Sequence, residues 1–343
     1  MHEAVIVIAD LYLPSEELPG APAAEPGALA GLEYAGRFGE RQRLAAGWRE
    51  WLAHWLGRGD LAGVSVAAIA AAAPGHDAAT RWIATPVELV AGLTRVHLGR
   101  RGIVRLTPPE QAALAEAFHR AFAGSGLALE PLSDGQFLAV TPGIAAVATA
   151  EPARCAGGLL VVPQGPAAAP LLKLIAEIEM WLHGAALNEA RIARGAAPVT
   201  GLWLWGATGS ALPAVRSSGG LTGQRAGTTA AFGSDAFIAG LLCLDGRVME
   251  PLPQRLERVF ADCSAERAVV VVELAGELPG EDWSLSAAAA ALDRRLIQPA
   301  LAALRDGSLG RVTLLANDTR IAIGRRSGLK RWRRARAGLA ALV

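Results

Sequence analysis

Asn188, Arg191 and Arg194 stand three residues apart in the run Asn188-Glu189-Ala190-Arg191-Ile192-Ala193-Arg194. On a helix that spacing puts them on one face, where two guanidinium groups can hold the carboxylate or phosphate of a small metabolite. The plainer reading of the same run is a capped, solvated helix end whose arginines are bonded to Glu189. Asp10 is a second kind of group, a carboxylate that ends the apolar run Ala4-Val5-Ile6-Val7-Ile8-Ala9. In an open α/β sheet that is the tip of a central parallel strand, the edge where ligands bind. A third place is the Gly-, Ser- and Thr-rich stretch from Ser217 to Gly233, with Ser217 and Ser218 at its start and a compact helix, Asp235–Leu242, after it. Unpaired N–H groups at such a helix start can bind phosphate, but no GK[ST] follows and an ordinary mobile loop is the better reading of the stretch. The last is the basic run Arg325 to Arg336, interrupted by Trp332. It could grip nucleic acid or an anionic membrane, or form a solvated terminal helix.

The elements that must position these groups follow from periodicity. Leu171, Leu174, Ile175, Ile178, Trp181 and Ala185 make an apolar helical stripe, with Pro170 suited to its start and Gly195 and Pro198 beyond its end. One helix from 171 to 194 is therefore expected, followed by a buried strand at Leu202–Trp205. Leu44, Trp48, Trp51, Leu52 and Trp55 place a helix over Arg41–Leu56, and a strand is expected to begin at Val64. Thr107-Pro108-Pro109-Glu110 is a capping box ahead of a helix over Ala112–Phe122. Leu127–Leu132 and Gln136–Val140 form a hairpin around Ser133-Asp134-Gly135. Pro253–Phe260 is expected to be helical. Val269–Leu274 and Arg311–Leu315 are buried strands, and Arg320–Ile323 pairs antiparallel with the second across Asn317-Asp318-Thr319. Ser286–Leu304 is a long helix that Pro299 kinks or divides.

At 343 residues and 52% hydrophobic composition the chain has material for a large core. A net charge of +1 gives no global field toward nucleic acid or membrane, so any basic surface is local. Cys155, Cys243 and Cys263 are far apart with no CxxC, which suits buried thiols in a reducing compartment. No signal peptide pattern or run of about 20 apolar residues is present, and a cytoplasmic protein is expected.

The stretch His183-Gly184-Ala185-Ala186-Leu187-Asn188-Glu189-Ala190-Arg191, then Arg194-Gly195, then Pro198-Val199-Thr200-Gly201-Leu202-Trp203-Leu204-Trp205-Gly206, resembles a HPxN…R…G…PAN…WLWG pattern. The chain is similar to the RpfE-type regulatory proteins, which in turn resemble the archaeal-type cofactor-independent phosphoglycerate mutases of the alkaline phosphatase superfamily. Looser echoes keep the same order: Ala4–Asp10 for a first strand ending in DGxxD, Ala231–Leu242 with Val248-Met249-Glu250 for a helix and short strand, Val269–Gly276 for a strand ending in DxxGH, and Asn317-Asp318-Thr319 for a GDHSTP turn.

What the resemblance implies is an alkaline phosphatase-like core and a two-metal site holding Mn or Zn. The departures oppose the second. Leu11, Tyr12 and Leu13 follow Asp10. Ala275-Gly276-Glu277-Leu278 carries neither Asp nor His. Asn317 stands where an Asp ligand would be and Asp318 where a His would be, and residues 11–80 contain no serine nucleophile motif. Asp10, Glu273 or Glu277, and Asp318 are too few ligands for two-metal phosphoryl transfer.

The expectation is an α/β fold on a mainly parallel doubly wound sheet, with a core from residues 1–84 and 200–343 and an α+β insertion over 85–199. The expected role is a catalytically altered, inactive relative of the mutases that regulates or binds a ligand. The site residues are Asn188, Arg191, Arg194, Ser217 and Ser218, with Asp10, Asn317 and Asp318 as vestigial metal positions. The alternative is an active phosphoglycerate mutase or phosphatase, an isomerase in the first case, rebuilt on Asp10, Glu277 and Asp318 around Mn or Zn. A second alternative is an interaction protein acting through residues 325–336.

Overall fold

The computed structural model describes residues 1–12, 28–72, 81–92, 96–212, 228–256, 259–260, 265–277, 283–329, 339 and 342. Ser217, Ser218, most of the glycine-rich stretch, Cys263, part of the expected helix at 253–260 and residues 330–336 of the basic run lie outside the described residues.

The chain divides into two compact units. The first comprises Met1–Asp60, Leu221–Ser234 and Val248–Val343. Its sheet has β1 (Glu3–Ile8) at the centre, flanked by β10 (Arg267–Val272) and β11 (Arg311–Ala316), with β9 (Thr229–Phe232) beyond β10. These four run parallel. On the far side β12 (Thr319–Gly324) and β2 (Glu40–Arg43) add antiparallel strands. The central strands are apolar on both faces, as parallel strands covered by helices must be. Ala4, Ile6, Ile8, Val270, Val272, Val312 and Leu314 join one buried cluster with Leu32, Leu292, Leu296 and Leu301 from the helices.

The second unit comprises Leu61–Gly220 and Asp235–Arg247. It is built on an antiparallel sheet in which β3 (Arg81–Ala91) pairs with β4 (Val96–Ile103), β6 (Phe137–Val140) and β8 (Gly201–Trp205). β5 (Ala128–Pro131) pairs with β6, and β7 (Gly158–Leu159) with β4. Its core gathers Trp82, Phe137, Leu138, Leu171, Ile178, Trp203 and Trp205.

The expected α/β class with a mainly parallel sheet and a separate α+β region is therefore observed. The unit boundaries differ from the expected 84/85 and 199/200 because β3 runs through the first of them as one strand and β8 pairs along it.

Several elements also differ from their sequence expectation. The single helix over 171–194 is two helices, α6 (Ala169–His183) and α7 (Ala186–Ala193), broken at Gly184 and Ala185. Arg41–Leu56 is not one helix: β2 takes Arg41 to Arg43 into pairing with β12, and α2 (Gly47–Trp55) starts only at Gly47, whose φ of 81° few other residues tolerate. At Val64 there is a single bridge to Ser210 rather than a strand. Ser65 then caps the short helix α3 (Val66–Ala70), accepting from the Ala68 N–H at 3.0 Å. Val248–Glu250 contributes only a bridge from Glu250 to Phe232. The helix at 286–304 is divided as Pro299 requires. α9 (Leu285–Leu292) passes through one π turn, Asp293–Ile297, into α10 (Gln298–Asp306), which has Pro299 in its first turn.

Candidate functional site

The helix α4 (Pro108–Ala121) begins with the expected capping box. Glu110 Oε2 accepts from the Thr107 backbone N–H at 2.8 Å and the Thr107 hydroxyl at 2.9 Å. Its other oxygen meets the arginines. Arg191 Nη1 lies 2.6 Å from Glu110 Oε1, and Arg194 Nη2 donates to the same atom. Arg191 also gives its Nε–H to the Ala197 carbonyl at 2.7 Å. Burial alone would raise the Glu110 carboxyl, but the hydrogen bonds from Thr107, Arg194 and Arg191 outweigh it and hold the group at about 2.

The arginine pair therefore does hold an anion, and the anion is a carboxylate of the chain itself. Glu110, not Glu189, is the partner. Asn188 is equally committed: its Nδ2 donates to the carbonyls of Leu182 and Val199, and its Oδ1 accepts from the Val199 N–H, all at 2.8 Å. These bonds fasten the break between α6 and α7 to the segment entering β8. Of the residues expected to bind a ligand, Asn188, Arg191 and Arg194 do come together, as a structural clasp.

The helix after the glycine-rich stretch, α8 (Ala236–Cys243), has its first N–H groups answered by protein carboxylates. Asp235 Oδ1 accepts from Ile238 N and Asp134 Oδ2 from Ala236 N, each at 2.9 Å. Two fixed negative charges there oppose phosphate binding at this helix start.

At the C-terminal edge of the parallel sheet, Asp10 lies past the end of β1, between the ends of β10 and β11. Both its oxygens accept backbone N–H groups, from Leu274 at 2.7 Å and Ala275 at 2.8 Å. It thus caps the 3₁₀ turn Leu274–Gly276 that follows β10. Glu277 is ion-paired with Arg295. Asn317 and Asp318 are the two residues of a tight hairpin between β11 and β12, both with positive φ, 51° and 49°. That is the type I′ geometry that Asn and Asp favour. Asn317 N donates to the Leu11 carbonyl at 2.9 Å, and Leu44 N to the Asp318 carbonyl at 2.7 Å. The positions named as metal candidates thus share one sheet edge in sequence order, yet each serves a turn or an ion pair. Among the described residues no three His, Cys, Asp or Glu side chains gather as metal ligands. This donor set does not fit a two-metal centre.

Three features escaped the sequence reading. Glu110 was legible as a helix cap, but nothing local shows that arginines some 80 residues away share it. Asp293 is fully buried in the π turn and accepts from the N–H groups of Gly31 at 3.0 Å and Leu32 at 2.7 Å, at the start of helix α1 (Ala30–Phe38), and from Gln298 at 2.8 Å. Burial pushes its carboxyl up, against these hydrogen bonds. Thirdly, the stretch between Glu88 and Glu110 holds four arginines and no acidic residue, a signal present in the sequence.

No family model matches the chain, and no curated protein does. Among solved structures it is similar to the cofactor-independent phosphoglycerate mutase from Thermoplasma acidophilum DSM 1728, with 14% identity over 94% of this chain and 90% of that one and a TM-score of 0.36. It is also similar to the PH0037 protein from Pyrococcus horikoshii, with 12% identity over 94% and 87% of the two chains and a TM-score of 0.47. At these identities and scores the likeness transfers neither an activity nor a set of site residues.

Proposed function

We propose that this chain is a regulatory or ligand-binding relative of the phosphoglycerate mutases in which the catalytic edge of the sheet has been converted to structural use. The observation that carries the proposal is Asp10, whose two carboxylate oxygens are both taken up by backbone N–H groups of the neighbouring turn. A carboxylate that ligates metal turns its oxygens to the ion; this one fastens β1 to the end of β10. Glu277, paired with Arg295, and the Asn317-Asp318 hairpin are consistent with the same conversion. The WLWG-containing stretch survives for a different reason. Trp203 and Trp205 are core residues of the second unit, and Asn188 and Arg191 clasp its helices, so loss of catalysis leaves them under structural demand.

A cytoplasmic setting goes with this reading. Cys155 and Cys243 are free thiols, as a reducing compartment allows; Cys155 is buried as expected, whereas Cys243 is exposed. No helix among the described residues is long and apolar enough to cross a membrane. A small phosphorylated or carboxylated ligand would compete with Glu110 for Arg194, whose side chain is 52% exposed.

The test is turnover. Purified protein with 2- and 3-phosphoglycerate, and with a generic phosphomonoester, in Mn²⁺ or Zn²⁺, should give no more product than the buffer control. Isomerisation or hydrolysis that disappears in Asp10→Ala would overturn the proposal.

A further inference from the structure

The sheet of the second unit ends on β5, and an edge strand presents backbone groups that its own sheet leaves unpaired. The ladder shows which groups those are. Leu132 N donates to the Gln136 carbonyl at 2.9 Å, and bonded pairs alternate along an antiparallel ladder. Glu130 therefore bonds across to Leu138 and Ala128 to Val140 on β6, whereas Leu129 and Pro131 turn their backbone groups outward. Pro131 has no N–H to offer. The Leu129 N–H is taken by a side chain: it donates to His119 Nε2, on α4, at 3.2 Å. Neither outward position of β5 thus leaves a free donor. One is closed permanently by a proline, the other by a ring that can change its charge.

We propose that His119 is a pH-sensitive latch that ties the edge strand β5 to helix α4. A neutral imidazole accepts at one nitrogen; with both nitrogens protonated it only donates, and it then turns an N–H toward the Leu129 N–H. His119 is exposed, so water delivers the proton directly, while the Leu129 side chain stays in the core. On α4, Glu116 and Arg120 stand one turn before the ring and one residue after it, paired with each other at 3.0 Å. On β5, Glu130 follows Leu129, and neither the connection 122–127 nor β6 carries a charge. Phe118 meets the ring edge-on, with centroids 6.4 Å apart. α6 meets α4 through Trp181 and carries Glu177, paired with Lys173, together with Glu179 and His183. α7 approaches the opposite end of α4, where Arg191 and Arg194 hold Glu110. Among the described residues no carboxylate pairs with the ring, so the imidazolium gains no partner in exchange for the bond it gives up. Charge at a strand edge also discourages pairing with another chain. Opening the latch therefore loosens β5 from α4 without inviting a second copy.

Amide hydrogen exchange of the full-length chain tests this, read at single residues by NMR between about pH 8 and about pH 5, where imidazoles titrate, and corrected for the intrinsic pH dependence of exchange. The expected result is that protection of the Leu129 amide falls about fivefold or more as the ring gains its charge, the loss of one hydrogen bond. The midpoint should coincide with the titration of the His119 ring C–H signals. The Glu130 amide, bonded to β6, should keep its protection throughout. In His119→Ala the Leu129 amide should show the low protection at every pH, with the Glu130 amide again unchanged, which also confirms that the variant folds. Equal Leu129 protection in the natural chain and His119→Ala would overturn the proposal. So would a pH dependence that survives in His119→Ala, or a fall shared equally by Leu129 and Glu130, which reports a general loosening of the hairpin rather than a latch.

Discussion

Glu110→Ala is expected to destabilise the second unit by about 3–5 kcal/mol, the largest loss from any one side chain at the clasp. The replacement leaves Arg191 with a nearly buried guanidinium and no carboxylate, its side chain being only 7% exposed. The Ala197 carbonyl remains as a partner, but a carbonyl does not neutralise a charge. The same replacement also removes half of the capping box at the start of α4. Thr107→Ala, which removes the hydroxyl but keeps the Arg191–Glu110 pair, should cost only about 1 kcal/mol. The two are separated by urea denaturation of the purified variants. A Glu110→Ala cost no greater than that of Thr107→Ala would mean that the buried charge pair contributes nothing net.

The clasp also fixes a pH dependence. The folded carboxyl titrates at about 2, below its ordinary value of 4.5, so it binds its proton less readily in the folded chain than in the unfolded one. A depressed carboxylate contributes stability that is fully present above pH 4.5 and is lost as pH falls through that value toward 2. Urea midpoints measured downward from pH 5 should therefore fall more steeply for the natural chain than for Glu110→Gln, which has no proton to take up there. Parallel curves for the two proteins would show that Glu110 is not held low.

Gly240→Ala should cost about 3 kcal/mol or more, although alanine in a helix ordinarily gains about 0.5–1 kcal/mol over glycine. Gly240 is inside α8, where that helix crosses α3. A Cβ there would penetrate the Ile69 carbonyl oxygen, lying 2.6 Å from the carbonyl carbon and 3.2 Å from the Ala70 Cα. The obstacle is backbone, so no rotamer change relieves it, and the two helices must separate. Thermal melts would register the change as a large drop in Tm. As a contrast, Gly184 has open space around its Cβ position and no positive φ, so Gly184→Ala should be close to neutral. An unchanged Tm for Gly240→Ala would contradict a backbone-to-backbone contact at this crossing.

The parallel sheet was readable because its strands are continuous apolar runs that need no partner to announce them: Ala4–Ile8, Val269–Val272 and Val312–Leu315 all lie in their expected strands. Local chemistry was equally legible where the signal is short-range, as in the Thr107–Glu110 capping box and the Asn317-Asp318 turn. What escaped is long-range. The stripe through Leu171 and Ile178 continues in phase past Gly184, so periodicity alone does not mark the break. The break is held by Asn188 bonding to Val199, eleven residues on. Trp48, Trp51 and Trp55 gave a correct helix but pulled its start back over Arg41 and Arg43, whose edge-strand role depends on β12, far along the chain. The arginine pair showed the same limit. Spacing identified an anion-holding face, and only the folded chain shows that Glu110 already fills it.

Central to the account is that at the sheet edge the Asp10 carboxylate holds a turn and that of Glu277 an ion pair, rather than metal. Its most direct test is the metal content of the purified protein by elemental mass spectrometry, before and after incubation with Mn²⁺ and Zn²⁺, beside an Asp10→Ala control. The expected result is no stoichiometric ion in either protein under either condition. About two ions per chain, lost in the Asp10→Ala variant, would contradict the claim and restore the two-metal reading.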